Sequence, residues 1–235
     1  MKALRTGALL ITLNLAACAG LQAPTEQTRV FMQAGTSLEL SETPFFAQED
    51  YQCGPATLAM LLAHAGQKVT PDELVQQVYV PARQGSLQVE MLAAARRQGF
   101  LPLVVEGQPE RLQNLLTLRK PVAVLMNLSL PISPQWHYAV VIGQQATERS
   151  MILRSGVTER EVMPQQQFLN VWHRSNYWGF ALFKPEEFPP NWAEAHVWLQ
   201  SLIGLERVNV GQAEKAYATA VKQWPQEYLM WFGLA

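Results

Sequence analysis

The sequence predicts an α+β fold that is followed by a short helical tail. Three segments with helical periodicity come first, between residues 54 and 98. Short apolar or β-branched runs then dominate up to residue 183. Runs of helices followed by runs of strands are typical of α+β proteins. We therefore expect the N-terminal helices to pack on an antiparallel sheet.

Three helices are predicted in the first part. They cover residues 54–65, a segment that begins at Thr70, and residues 87–98. Gly66 and Gly99 follow the first and the third helix, and glycine readily adopts the conformation that ends a helix. Thr70 and Glu73 have the spacing of a capping box. Ser86 is the expected N-cap of the third helix.

The second part is predicted to be mostly β. Strands are expected over residues 101–105, 122–127, 138–142, 151–154 and 177–183. Two further helices are predicted over residues 109–118 and 164–172. The segment Phe188-Pro189-Pro190 is predicted to be a linker.

The tail, residues 191–235, resembles a tetratricopeptide repeat. The resemblance lies in the spacing of Ala213, Tyr217, Ala220 and Pro225, and in Trp231 and Leu234 of a following repeat. In this interpretation the chain stops within a repeat, so we expect either a truncated repeat or a protein partner for the tail. The alternative is a plain helical hairpin packed on the main domain.

Composition excludes several classes of protein. The chain has 235 residues, of which 49% are hydrophobic, so one or two domains with a real core are expected. Its formal net charge of -1 argues against a nucleic-acid partner. Two cysteines are too few for a disulfide-stapled scaffold. The cysteines and histidines lack metal-ligand spacing, and we expect neither a metal nor a cofactor.

The N-terminus is predicted to be a lipoprotein signal peptide over residues 1–17. Lys2 and Arg5 precede a short apolar segment, which is typical of a secretory signal. The string Leu15-Ala16-Ala17-Cys18 resembles a bacterial lipobox, which implies cleavage before Cys18 and lipid attachment to it. Ala19 then favours an outer-membrane lipoprotein that faces the periplasm. Residues 18–43 would then be a tether. The alternative to the lipoprotein signal is an ordinary signal peptide that is followed by a cysteine by chance.

Cys53 and His137 are the candidate nucleophile and base. Cys53 is predicted at a helix N-terminus, where backbone N–H groups favour the thiolate and can form an oxyanion hole. Gln48, five residues upstream, can add a further donor. His64 would lie roughly 16 Å from Cys53 along the same helix. His137 instead immediately precedes a predicted strand, which is a rigid place for a catalytic imidazole.

These residues resemble a known family. Gln48, the segment 53–56 and the segment 58–60 resemble the papain-like peptidases that remove double-glycine leaders from bacteriocins. His137 and the strand after it resemble the histidine motif of that family. The resemblance covers about residues 44–184, within an expected domain of residues 44–187. It implies a cysteine peptidase in which Cys53 is the nucleophile, His137 the general base and Gln48 the oxyanion donor.

The sequence departs from the family pattern in two places. The family usually has an aspartate that orients the histidine, whereas no aspartate follows His137 here. Ser155, Asn170 and Asn176 are the alternatives for that role. Gln48 is also one residue closer to Cys53 than expected. Trp136, beside His137, is expected to be a core aromatic residue.

Three functions therefore remain open at the level of sequence. The first is a lipid-anchored cysteine peptidase that hydrolyses a peptide bond through a Cys53 thioester. The second is a non-catalytic peptide-binding module that keeps the cleft, in which Cys53 is an inert thiol. The third is an amidase that acts on cell-wall peptides. The expected partners are a peptide or protein substrate and a membrane contacted through the lipid.

Overall fold

The computed structural model describes residues 36–48 and 52–235. The predicted signal peptide, Cys18 and most of the tether therefore lie outside the described residues. Within the described part, seven strands form one antiparallel sheet in the order β4-β9-β5-β6-β7-β8, and β1 also pairs with β6. These strands are β1 (Leu38–Glu39), β4 (Leu101–Val105), β5 (Val122–Asn127), β6 (Trp136–Gln145), β7 (Ser150–Ser155), β8 (Thr158–Pro164) and β9 (Gly179–Phe183).

Helices cover the sheet and extend beyond it. They are α1 (Cys53–His64), α2 (Pro71–Val78), α3 (Gln88–Arg97), α4 (Glu110–Thr117), α5 (Gln165–His173), α6 (Ala195–Glu206), α7 (Val210–Gln223) and α8 (Tyr228–Leu234). A two-stranded ribbon of β2 (Tyr79–Val80) and β3 (Gly85–Ser86) joins α2 to α3. The predicted α+β class is confirmed.

Helix α1 is the central element of the core. Its residues 54–62 are all buried, and it packs on β5, β6 and β9. A helix that is apolar on every side is stable only when it is enclosed in this way. Gly66 follows it with a φ of +93°, and Gly99 follows α3 with a φ of +86°, as their predicted roles as helix stops require. The enclosure fixes the position of Cys53, the first residue of α1.

Two predictions at element ends are wrong. Ser86 is not the N-cap of α3, because it lies in β3 and Leu87 occupies the cap position. His137 does not precede its strand but is the second residue of β6, paired with Met126 of β5. Strand β8 was not predicted, because it is mostly exposed at the sheet edge and includes the charged residues Glu159, Arg160 and Glu161. Edge strands with such charges lack the apolar alternation that identifies a strand.

Arg154 ties the N-terminal segment to the sheet. The side chain is 5% exposed and lies on β7. Its guanidinium donates hydrogen bonds to the carbonyl oxygens of Ser41, Thr43 and Glu159. A planar guanidinium is suited to several acceptors at once. We refer to this arrangement as the Arg154 clamp, and it holds the chain that leads to Gln48.

The tail packs on the free edge of the sheet. Ser201 of α6 donates a hydrogen bond to the carbonyl oxygen of Pro102 in β4, and Trp198 meets Phe183 of β9 edge to face. Helices α6, α7 and α8 lie where the repeat pattern places helices, and their packing is also that of a hairpin on the main domain. The repeat therefore stays a prediction. No helix among the described residues is both long and apolar enough to cross a membrane.

His64 is held in its neutral form at the end of α1. Its Nε2 lies 3.1 Å from the carbonyl oxygen of Arg119, and its Nδ1 lies 3.0 Å from Oγ1 of Thr43. A carbonyl oxygen can only accept, so Nε2 carries the proton and Nδ1 accepts from the threonine hydroxyl. Burial lowers the pKa of His64, because a charged imidazole would lose solvation there.

We expect the protein to lose stability as the pH falls below the ordinary histidine pKa, near 6.5. The pKa of His64 is lower in the folded state, so the unfolded chain binds protons more readily and acid favours it. Urea unfolding between pH 7.5 and pH 5 measures this dependence. His64→Gln should make it shallower, and His137→Gln gives the separate contribution of the other buried histidine. An unchanged slope in His64→Gln would contradict the assignment.

Candidate active site

The fold places Cys53 where the backbone of α1 begins. Gln52 is the N-cap of α1, and its side chain makes no capping hydrogen bond. The backbone N–H groups of Cys53 and Gly54 lower the pKa of the cysteine thiol and so favour the thiolate. This is the place that the sequence predicted for the nucleophile. The same N–H groups can stabilise an oxyanion that forms beside the sulfur.

The backbone of Tyr138 in β6 contacts both Gln48 and Cys53. Its backbone N–H bonds to the sulfur of Cys53, and its carbonyl oxygen accepts from Nε2 of Gln48 at 3.4 Å. The N–H of Gln48 in turn donates to the carbonyl oxygen of Gly156, just after β7. Cys53 and Gln48 therefore lie along the edge of β6 directly after His137.

Gln48 has capacity left for a substrate oxygen. A primary amide carries two N–H bonds, and only one is used by the carbonyl oxygen of Tyr138. The other can donate to an atom held beside Cys53. Its Oε1 is buried and accepts no hydrogen bond from the described residues. The predicted oxyanion donor is thus adjacent to the cysteine, although its spacing in the sequence is unusual.

His137 is oriented by a hydroxyl. Its Nε2 lies 3.0 Å from Oγ of Ser155, the last residue of β7. Asn170 and Asn176, the other two candidates from the sequence, are exposed and bond to Gln166 and Glu106 respectively. No described group makes a hydrogen bond to Nδ1 of His137, and that nitrogen remains for a reacting proton.

Burial determines the charge state of both groups. It raises the pKa of the Cys53 thiol, and the three backbone N–H groups offset only part of that effect. It also lowers the pKa of His137, while the carboxylate of Glu161 acts in the opposite direction. The N–H groups at the helix N-terminus act in the direction that the sequence predicted, and burial has the larger effect on the pKa of the thiol. Burial therefore favours the neutral thiol and the neutral imidazole.

The packing behind the cysteine has no signal in the sequence. Oγ of Ser86 is buried without a hydrogen-bond partner in the described part of the chain, and a Cβ on Gly54 would lie 2.1 Å from it. The carbonyl oxygen of Ser86 accepts from the Tyr138 hydroxyl. The side chain of Tyr138 also meets Trp178 edge to face. Only glycine fits after Cys53, because the β3 ribbon approaches α1 so closely.

An apolar loop lies beside His137. The loop joins β5 to β6, and its exposed apolar residues are Leu128, Leu130 and Ile132, followed by the exposed Trp136 at the start of β6. Oδ1 of Asn127 accepts from the N–H groups of Ser129 and Gln135. Arg174 donates to the carbonyl oxygens of Asn127 and Ser129. Trp136 is half exposed, so its expected place in the core was wrong. These hydrogen bonds give the loop a defined shape at the site.

The site contains the groups that proton transfer and nucleophilic attack require. No three His, Cys, Asp or Glu residues of the described ranges cluster in a way that could hold a metal ion. A thiol, an imidazole with one unbonded nitrogen, and several N–H donors are the groups that acyl transfer requires.

Comparison with solved structures finds the same fold. A Bacillus anthracis protein assigned as a C39-like peptidase matches with a TM-score of 0.53 and 16% identity, over 64% of this chain and 98% of that one. The double-glycine-motif protease of an AMS/PCAT transporter, crystallised with its leader peptide, matches with a TM-score of 0.49 and 20% identity. The match covers 63% of this chain and 98% of that one. The peptidase domain of Streptococcus ComA matches with a TM-score of 0.47 and 24% identity, over 60% of this chain and 96% of that one.

Comparison with protein families gives the assignment. No curated protein sequence matches the chain significantly. The model of the Peptidase_C39 like family matches residues 40–179, more than half of the 235 residues. The matched range includes Gln48, Cys53 and His137, and it confirms the resemblance to the leader peptidases. The chain therefore belongs to the Peptidase_C39 like family.

Proposed function

We propose that the protein is a cysteine peptidase in which Cys53 attacks a peptide carbonyl and His137 moves the proton. The supporting observation is the backbone of Tyr138, which contacts Cys53 and Gln48 and directly follows His137. Nucleophile, oxyanion donors and base are thereby held along one strand edge. Strands and enclosed helices hold such groups more accurately than loops do.

The reaction has two steps. Nδ1 of His137 takes the thiol proton while Sγ of Cys53 bonds to the carbonyl carbon. Gln48 and the N–H groups of Cys53 and Gly54 stabilise the oxyanion. The C–N bond then breaks, and the imidazolium gives its proton to the leaving amine. Water, deprotonated by His137, attacks the thioester, the C–S bond breaks and the thiol is restored.

The experiment that tests this proposal is hydrolysis of a fluorescence-quenched peptide library by the purified chain without its signal peptide. Cys53→Ala and His137→Ala should each lower kcat by at least about 1,000-fold, as loss of a nucleophile or base does in other hydrolases. His173→Ala is the matched control and should retain activity, because His173 packs on Tyr177 at the end of α5.

The same experiment separates the other two functions. Peptide binding without turnover, retained in Cys53→Ala, would contradict the enzyme and support a peptide-binding module. Hydrolysis of purified peptidoglycan stem peptides, with no cleavage of the peptide library, would support the cell-wall amidase. The absent family aspartate is the observation that keeps the binding module open.

We further propose that Cys18 carries lipid and anchors the protein to the outer membrane, facing the periplasm. The lipobox-like string before it supports this placement. Metabolic labelling with an alkyne fatty acid should label the wild type, and Cys18→Ser should abolish the label, because the serine cannot be acylated as a lipobox cysteine is. Cys53→Ser is the matched control and should remain labelled. An unlabelled wild type would contradict the anchor.

A further inference from the structure

We propose that Ser155 is the positioning residue of this site and that its hydroxyl takes the place of the family's aspartate. The inference rests on the proposed function and names the group that the sequence left open. Oγ of Ser155 lies 3.0 Å from Nε2 of His137, and both side chains lie in neighbouring strands of the sheet. Ser155 is 8% exposed, so bulk water competes little for this hydrogen bond.

The proposed reaction requires the Nε2–H tautomer of His137, and the Ser155 hydroxyl can stabilise it by accepting that hydrogen bond. A serine hydroxyl can accept from Nε2–H, and Nδ1 then keeps its lone pair. Nδ1 is also the nitrogen without a hydrogen bond to any described residue. Ser155 would therefore hold His137 as a base that is ready to accept the Cys53 proton, as second partners of catalytic histidines generally do.

A hydroxyl and a carboxylate differ in what they do after proton transfer. A carboxylate stabilises the imidazolium by charge, whereas a hydroxyl offers only a dipole. Across the sheet, Glu161 of β8 is the one carboxylate of the described residues that affects His137, and it makes no hydrogen bond to the ring. Burial raises the pKa of Tyr138, so its phenol, which donates to the carbonyl oxygen of Ser86, is neutral. Ser155 thus orients the imidazole through its 3.0 Å hydrogen bond without adding a charge beside it.

Three variants test the inference: Ser155→Ala, Ser155→Thr and Ser155→Asp. The first readout is the tautomer of His137, from two-bond ¹H–¹⁵N correlation spectra assigned with His137→Gln. The second is the rate of iodoacetamide alkylation of Cys53 between pH 5 and pH 10. Neither readout requires a substrate. Near-UV circular dichroism shows whether each variant is folded.

We expect Nε2–H in the wild type and in Ser155→Thr, and a mixture of tautomers in Ser155→Ala. Loss of one neutral hydrogen bond should also lower kcat in Ser155→Ala by up to about tenfold, with KM unchanged. Ser155→Asp should increase alkylation at pH 6 by about tenfold or more, since a carboxylate beside the imidazolium stabilises the ion pair.

Two results would overturn the inference in different ways. If His137→Ala alters the pH profile of alkylation but Ser155→Ala and Ser155→Asp alter neither readout, Ser155 has no positioning role and the Cys53–His137 pair stands. If His137→Ala also leaves the profile unchanged, the pair itself is wrong and the proposed function fails with the inference.

Discussion

Replacement of Arg154 by leucine is expected to lower the free energy of unfolding by about 3–5 kcal/mol. The change leaves the carbonyl oxygens of Ser41, Thr43 and Glu159 without their donor. The carbonyl oxygen of Thr43 is buried, and a buried acceptor left unpaired costs about 1–3 kcal/mol, while the part-buried hydrogen bonds to Ser41 and Glu159 contribute about 0.5–1.5 kcal/mol each. Domains are commonly stable by only about 5–15 kcal/mol, so the effect should be plain in urea unfolding at fixed pH and salt.

Arg160→Leu is the matched control for the Arg154 clamp. Arg160 lies on the adjacent strand β8, and its guanidinium pairs with the carboxylate of Glu39 near the surface. Exposed ion pairs contribute little to stability, so this variant should unfold close to the wild type. Arg154→Lys should fall between the two, because a single ammonium cannot replace the guanidinium fork. If Arg154→Leu and Arg160→Leu lower the free energy of unfolding equally, the stabilising role of the Arg154 clamp is contradicted.

The second large effect is expected for Gly54→Ala. A Cβ at residue 54 would lie 2.1 Å from Oγ and 2.4 Å from Cβ of Ser86. Either α1 or the β3 ribbon must then move, and such overpacking typically costs about 1–3 kcal/mol. Because Cys53 precedes the new methyl group, we also expect slower alkylation of its thiol. Urea unfolding and iodoacetamide kinetics measure the two consequences.

A double-mutant cycle isolates the contribution to stability of the contact between residue 54 and the side chain of Ser86. In Gly54→Ala/Ser86→Gly the two opposing side-chain atoms of Ser86 are gone, so most of the lost stability should return. The φ of Gly54 is not positive, and alanine is therefore allowed by the backbone itself. If the double variant is no more stable than the sum of the two single variants predicts, the contact with Ser86 is not the cause.

Local signals in the sequence were enough for most of the elements. Gly66 and Gly99 end their helices, and Glu73 accepts from the N–H of Thr70 as in a capping box. Each depends on neighbours within a few residues of the chain. Ser86 failed as a cap because its position is set by the approach of β3 to Gly54, a contact between distant segments. Such contacts leave no local pattern.

The residues of the candidate site could be predicted from the sequence, but their hydrogen-bond partners could not. Cys53 and Gln48 lie close together in the sequence, and the cysteine motif identified them. The partner of His137 could not be chosen, because Ser155, Asn170 and Asn176 are equally plausible until the register of β6 and β7 is known. Arg154 resembled a charged residue at the end of a strand, and only the fold shows that it is enclosed by the segment before Gln48.

The N-terminal attachment to the sheet also has a mechanical consequence. A pulling force on the chain before Leu38 would first load the pairing of β1 with β6 and then the Arg154 clamp. Gln48 follows both of them along the chain. Tension at the N-terminus is therefore borne by these two connections before it can displace the groups around Cys53, whose geometry is insulated from movement of the chain that precedes β1.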